Sequence, residues 1–147
     1  MHSPIQRRRV LRAGVAIGLG LVLPSARAHE YFVPHIRISH PWCRETAVDA
    51  AFAAVYMTFD EVTRSDRLIG VETPVAEAAV MVGPGMTGAV DLPIVEGQET
   101  TVGEAGVQIR LVRLTQALLV ARSYPLKLMF AKSGEVDATL DVAFPAS

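Results

Sequence analysis

Three of the chain's four histidines, His29, His35 and His40, fall in one short stretch, AHEYFVPHIRISHPW at 28–42. Imidazole is the commonest protein ligand for a transition metal, so the clustering raises metal binding first. Spacing argues against one ion shared by two of them. If HIRIS at 35–39 is extended, His35 shares a face with Arg37 and Ser39, whereas His40 falls on the face of Ile36 and Ile38. His40, next to Pro41 and Trp42, then reads as a structural residue, and Trp42 as core or edge packing. The soft sulfur donors are scattered. Met57, Met81 and Met129 sit in apolar runs and read as core fillers, while Met86, between Gly85 and Thr87 in a turn-rich segment, reads as exposed. Cys43 is the only cysteine, which excludes an intramolecular disulfide and predicts a buried small hydrophobe.

Patterns for covalent or acid–base catalysis are missing. There is no Gly-rich phosphate loop, no nucleophile elbow and no Cys-x-x-Cys. Asp60, Glu61 and Asp66 are close in sequence but frame a loop, and they read as solvated turn residues rather than as an acid–base pair. We expect a protein that is not an enzyme.

The first 28 residues read as an export signal. Arg7, Arg8, Arg9 and Arg12 form a basic region, Ala13–Leu23 an apolar run, and Ala26-Arg27-Ala28 a small-residue cleavage site. The run is shorter than the ~20 residues that span a bilayer, so no membrane span is expected in the mature chain. RRRVLR also resembles a twin-arginine export signal. Cleavage after Ala28 makes His29 the new terminus and leaves one domain, 29–147, expected in the periplasm. Arg7, Arg8, Arg9, Arg12 and Arg27 leave with the signal, so nine basic residues face fifteen acidic ones. An acidic domain without a clustered Lys/Arg face excludes nucleic acid as a partner.

What must position any site is a set of short β-like runs. They are HIRIS at 35–39, AFAAVYMTF at 51–59, RLIGVETPV at 67–75, EAAVMV at 77–82, GAVDLPIV at 88–95, VQIRLVRL at 107–114, PLKLMFA at 125–131 and EVDATLDVAF at 135–144. Gly83-Pro84-Gly85, Glu96-Gly97, Gly103-Glu104 and Ser133-Gly134 punctuate them as turns. About eight strands at this spacing predict an all-β fold, an antiparallel sandwich or barrel. In the last run Val136, Ala138, Leu140, Val142 and Phe144 share one face. AFAAVYMTF lacks such alternation, which predicts a strand covered on both sides. PLKLMFAKSGEVDATLDV predicts a β-hairpin turning at Ser133-Gly134.

HPWCRET at 40–46, AAVYMTF at 53–59, DRLIGVETPVAE at 66–77 and YPLKLMFAKSGEVDATLDV at 124–142 occur in an order that resembles the periplasmic PCu(A)C copper chaperones. That family is associated with copper supply to the CuA centre of cytochrome c oxidase. The resemblance implies a cupredoxin-like β-sandwich of Greek-key type, copper as the bound ion, and a periplasmic copper-acceptor or assembly protein as partner. It also implies a ligand set: a His soon after Pro-Val-Ala, one or more Met, then His-x-Met on a later strand. Counted from Pro74-Val75-Ala76, the first His position is Val82; counted back from Pro125, the later pair is Gln108 and Arg110. The Met positions fall near Met86, Val90 and Leu92, and only Met86 offers a donor.

Arginine donates hydrogen bonds without accepting them and stays cationic, so it cannot ligate a cation. Cu(I) takes soft thioether, thiolate and imidazole donors, and a lone Met beside a glutamine is a poor set. The remaining candidates are Met86 with His29 and His35: a terminal His29 joins its α-amine to its imidazole in a chelate suited to Cu(II), with His35 as a third nitrogen. The alternative is a frayed terminus without metal. Two functions stand, a copper carrier with a degenerate site and a metal-free interaction module on the same sandwich, for which Arg110 and Arg113 are candidate contacts.

Overall fold

The computed structural model describes residues 30–144, and its regular elements are all strands. They are β1 (Glu30–Val33), β2 (Ile36–Ser39), β3 (Trp42–Arg44), β4 (Phe52–Val55), β5 (Met57–Asp60), β6 (Asp66–Glu72), β7 (Ala76–Gly83), β8 (Met86–Gly88), β9 (Leu92–Ile94), β10 (Thr100–Val102), β11 (Gln108–Leu114), β12 (Ser123–Phe130) and β13 (Gly134–Ala143). Three sheets result, ordered β1-β2-β5-β10, β4-β11-β7-β8 and β3-β13-β12-β6-β9. Pairing is antiparallel except for β13 with β3, which run parallel. Their apolar faces meet in one core, where Phe59 of β5 meets Phe130 of β12 edge to face at 6.1 Å.

Thirteen strands stand where about eight runs were expected, because one run divides and β1, β3, β8 and β10 form in stretches largely outside those runs. AFAAVYMTF divides at Tyr56, which leaves both neighbours' ladders and bridges Trp42 through reciprocal backbone bonds of 2.8 and 2.9 Å. The run is not covered on both sides. Ala53, Val55, Met57 and Phe59 are buried, while Phe52, Ala54, Tyr56 and Thr58 look outward. An aromatic and a small apolar residue on the outer side had concealed the alternation.

The predicted hairpin is present as β12 and β13, in register from Ser123↔Asp141 to Phe130↔Gly134. Gly134 has φ 80°, a left-handed conformation that glycine adopts without cost. Ala138, Leu140 and Val142 are buried as the alternation requires, but Phe144 lies past the end of β13 and is exposed. Met57 and Met81 are buried core fillers; Met129 is half-buried, its thioether methyl lying over Gly70.

HIRISH is not one strand. Pro34 and His35 form the two-residue turn between β1 and β2, with His35 at φ 74°, and β2 starts at Ile36. Pro ahead of a left-handed residue is ordinary turn chemistry. His40 follows the end of β2.

Asp66 overturns its reading as a solvated turn residue. It is 6% exposed and accepts from the backbone N–H of Arg67, Lys132 and Ser133 and from the Ser133 hydroxyl, at 2.7–2.9 Å. Burial pushes its pKa up, but the hydroxyl and the three backbone donors outweigh burial and hold the carboxyl below its ordinary value. The carboxylate ties the start of β6 to the β12–β13 turn. Asp60 is likewise paired, taking two 2.7 Å bonds from Arg37.

Cys43 is fully buried on β3, and desolvation pushes its thiol up to about 12. The expected result is no reaction of native protein with iodoacetamide at pH 8 and full reaction in urea; rapid labelling of the native protein would contradict this placement. Because the folded thiol titrates above its ordinary value of 9, its contribution to stability is present below pH 9 and is lost as the pH rises toward 12.

Candidate functional site

β11 is the middle strand between β4 and β7, and alternation divides its side chains cleanly. Ile109 and Leu111 point into the core; Gln108, Arg110 and Val112 point outward. Register then fixes their neighbours. Gln108 stands opposite Val82, and Arg110 stands opposite Val80 on one side and Ala54 on the other. Cross-strand partners hold their Cβ atoms about 5 Å apart, so Val82, Gln108 and Arg110 form one cluster.

The Gln108 amide and the Arg110 Nε are tied to protein. Arg110 Nε donates to Gln108 Oε1 at 2.8 Å, and Gln108 Nε2 donates to the Glu104 carbonyl oxygen at 2.8 Å. The guanidinium lies 4.1 Å from the centroid of the Phe52 ring. This cation–π contact places a permanent positive charge over the outer face.

A second cluster adjoins the first through Glu104. Its carboxylate accepts from Tyr56 Oη and from Arg44 Nε, the latter at 3.1 Å. The tyrosine bond first and the arginine second hold the Glu104 carboxyl below its ordinary value. Tyr56 stacks on Trp42 with centroids 4.1 Å apart, and Arg44 lies over both rings. Trp42, Tyr56, Glu104 and His40 border a cleft of about 490 Å³. A larger groove of about 780 Å³ runs beside β6, β7 and β12.

The fold and sequence comparisons agree. The LpqE-like lipoprotein family model matches residues 36–142. The copper-bound PCuAC domain from PmoF2 is 30% identical and superposes with a TM-score of 0.68, covering 80% of this chain and 99% of that domain. The chain belongs to the PCuAC family. In fold alone, this PCuAC chain is also similar to the apo PCuAC domain from PmoF1, at 24% identity, a TM-score of 0.71 and coverage of 80% and 100%. The solution structure of CuI-DR1885 from Deinococcus radiodurans is a more distant likeness of fold, at 19% identity, a TM-score of 0.60 and coverage of 82% and 85%. No curated protein sequence matches the chain.

In this PCuAC chain, the positions assigned by resemblance to the copper-binding His, His and Met are the adjacent Val82, Gln108 and Arg110. Met86 is 45% exposed, as its turn-rich setting predicted. It pairs with Gly83 across the β7–β8 hairpin and packs there, whereas Thr87 pairs with Val82. Met86 therefore points to the face opposite Gln108 and Arg110. Val90 and Leu92 are buried in the core.

His35 lies apart from this face, in the β1–β2 turn, with Nδ1 3.0 Å from Thr63 Oγ1. His29 lies outside the described residues. Among the described residues no group of three His, Cys, Asp or Glu side chains is arranged to hold a metal ion. Phe52, Glu104 and the Trp42–Tyr56–Arg44 stack were missed in the sequence. No short-range pattern marked them, since the β4–β11 pairing and the Tyr56–Glu104 bond join residues far apart in sequence.

Proposed function

We propose that this protein is an exported, periplasmic PCuAC-type member of the copper-delivery machinery, serving assembly of the oxidase CuA centre, whose own copper clamp is degenerate. Residues 1–28 act as the cleaved export signal and 29–147 as the working domain. The protein is not an enzyme; copper is the cargo of the system in which it works. One observation carries the reading: Val82, Gln108 and Arg110 stand together on one face of the sheet, with the amide and guanidinium engaged to each other, to Glu104 and to Phe52. A guanidinium at 4.1 Å from an aromatic ring is stable where it is and repels a cation placed beside it. The domain acts by docking to a copper-acceptor or assembly protein rather than by gripping the ion at this face.

The test is a competition of the purified protein against a chromophoric Cu(I) chelator. The expected affinity is no tighter than that of a single exposed thioether. Stoichiometric binding that survives micromolar chelator sinks the degenerate-clamp reading. A second reading, residual copper at Met86 aided by His29 and His35, is favoured by the exposure of Met86. In that case Met86→Leu abolishes the binding.

A further inference from the structure

The outer face of the β4-β11-β7 sheet carries one charged group in an apolar surround. Phe52, Ala54, Ala78, Val80, Val82 and Val112 share the face with Gln108 and Arg110. Phe52 is 39% exposed and the valines are half-buried, so the face is only partly covered by the chain itself. Arg110 is held on two sides, by Gln108 through Nε and by the Phe52 ring beneath its plane. Its terminal nitrogens, Nη1 and Nη2, have no partner among the described residues. A guanidinium fixed in plane with its terminal fork open is preorganised for a carboxylate, which takes two parallel N–H···O bonds.

We propose that this face docks a polypeptide segment of a partner protein, with one Asp or Glu carboxylate seated in the Arg110 fork and apolar side chains laid on Val80, Val112 and Phe52. The proposal rests on the reading above, that the face has exchanged metal grip for protein contact, and it names the chemistry of the partner. Three features select a polypeptide. An arginine and an aromatic ring in an apolar surround are the composition of an interface centre, where other charges are depleted. A second copy of this chain does not complement the face, because the carboxylate that adjoins it, Glu104, is already held by Tyr56 and Arg44. A small free carboxylate gains nothing from the apolar surround, and Arg110 lines neither of the two clefts described above.

The probe is an extended peptide, acetyl-Thr-Val-Thr-Asp-Thr-Val-Thr-amide, whose Asp and two Val share one face, compared with its Asn isostere by amide NMR titration of the purified protein. The expected result is saturable shifts at Ala54, Val80, Arg110 and Val112, with the Asn peptide at least about 10-fold weaker. Arg110→Gln abolishes the difference between the two peptides. Ala54→Glu, which sets a carboxylate directly across the strand from Arg110, occupies the fork and weakens the Asp peptide by a similar factor while the remaining spectrum stays native. Equal affinity for both peptides, shifts centred on another face, or reproduction of the effect by acetate alone overturns the proposal. So does a concentration-dependent dimer that buries the same amides. The titration is run with a copper chelator present. Tight Cu(I) binding in the separate competition defeats the degenerate-clamp reading, whereas absence of peptide discrimination defeats only this inference.

Discussion

Val82→His, Gln108→His and Arg110→Met, introduced together, are expected to raise Cu(I) affinity by at least about 100-fold, or about 2.7 kcal/mol. Residues 82 and 108 are directly opposed on β7 and β11, so two imidazoles there start about 5 Å apart at Cβ and can converge on one ion. Residue 110 lies on the same face two positions along, which brings its thioether to the same side. The substitution also removes the fixed cation, whose repulsion acts on every copper ion approaching the face. Order matters in the series. Val82→His with Gln108→His but Arg110 retained is expected to recover only a minor part of the gain. Arg110→Met alone supplies one donor and frees Phe52 of its cation, at a stability cost of about 1 kcal/mol. Chelator competition across the three variants checks this. A triple variant that folds yet binds no better than the parent removes the basis for locating a former clamp on this face.

Asp66→Ala is expected to destabilise the domain by about 3 kcal/mol, lowering Tm by roughly 15 °C. The carboxylate alone receives the N–H groups of Arg67, Lys132 and Ser133 together with the Ser133 hydroxyl, and alanine leaves these donors stranded in a buried place. Ser133→Ala removes one of the four bonds and is expected to cost about 1 kcal/mol. The effect carries a pH signature with a definite sign. Although burial opposes it, the hydrogen bonds depress the folded-state pKa below the ordinary 3.8, so the stabilisation is complete above that value and disappears as the pH falls through the lower folded one. Urea titrations of parent and Asp66→Ala should thus show their widest gap near neutral pH and converge in strong acid. A gap that is small at pH 7, or that widens on acidification, contradicts the assigned role.

Local patterning carried much of the fold. The β12–β13 hairpin was readable because its partners are neighbours in sequence, its alternation is strict from Val136 to Val142, and Ser133-Gly134 supplies a residue free to take φ 80°. Ile109 and Leu111 were readable as core for the same reason. Where apolar side chains occupy both faces, as at 51–59, period-two alternation is invisible and the strand was mistaken for one buried on both sides.

The chain by itself determined an all-β domain, a buried Cys43, and the presence of an amide and a guanidinium at two β11 positions, since each follows from residue type and short-range periodicity. Tertiary structure alone decided that Val82 faces Gln108, that Met86 turns to the opposite side, that Phe52 lies under Arg110, and that Asp66 is buried by a turn 67 residues away. Those are long-range pairings. Their register is set by how three sheets share one core, a condition on the whole chain that no short window of sequence contains.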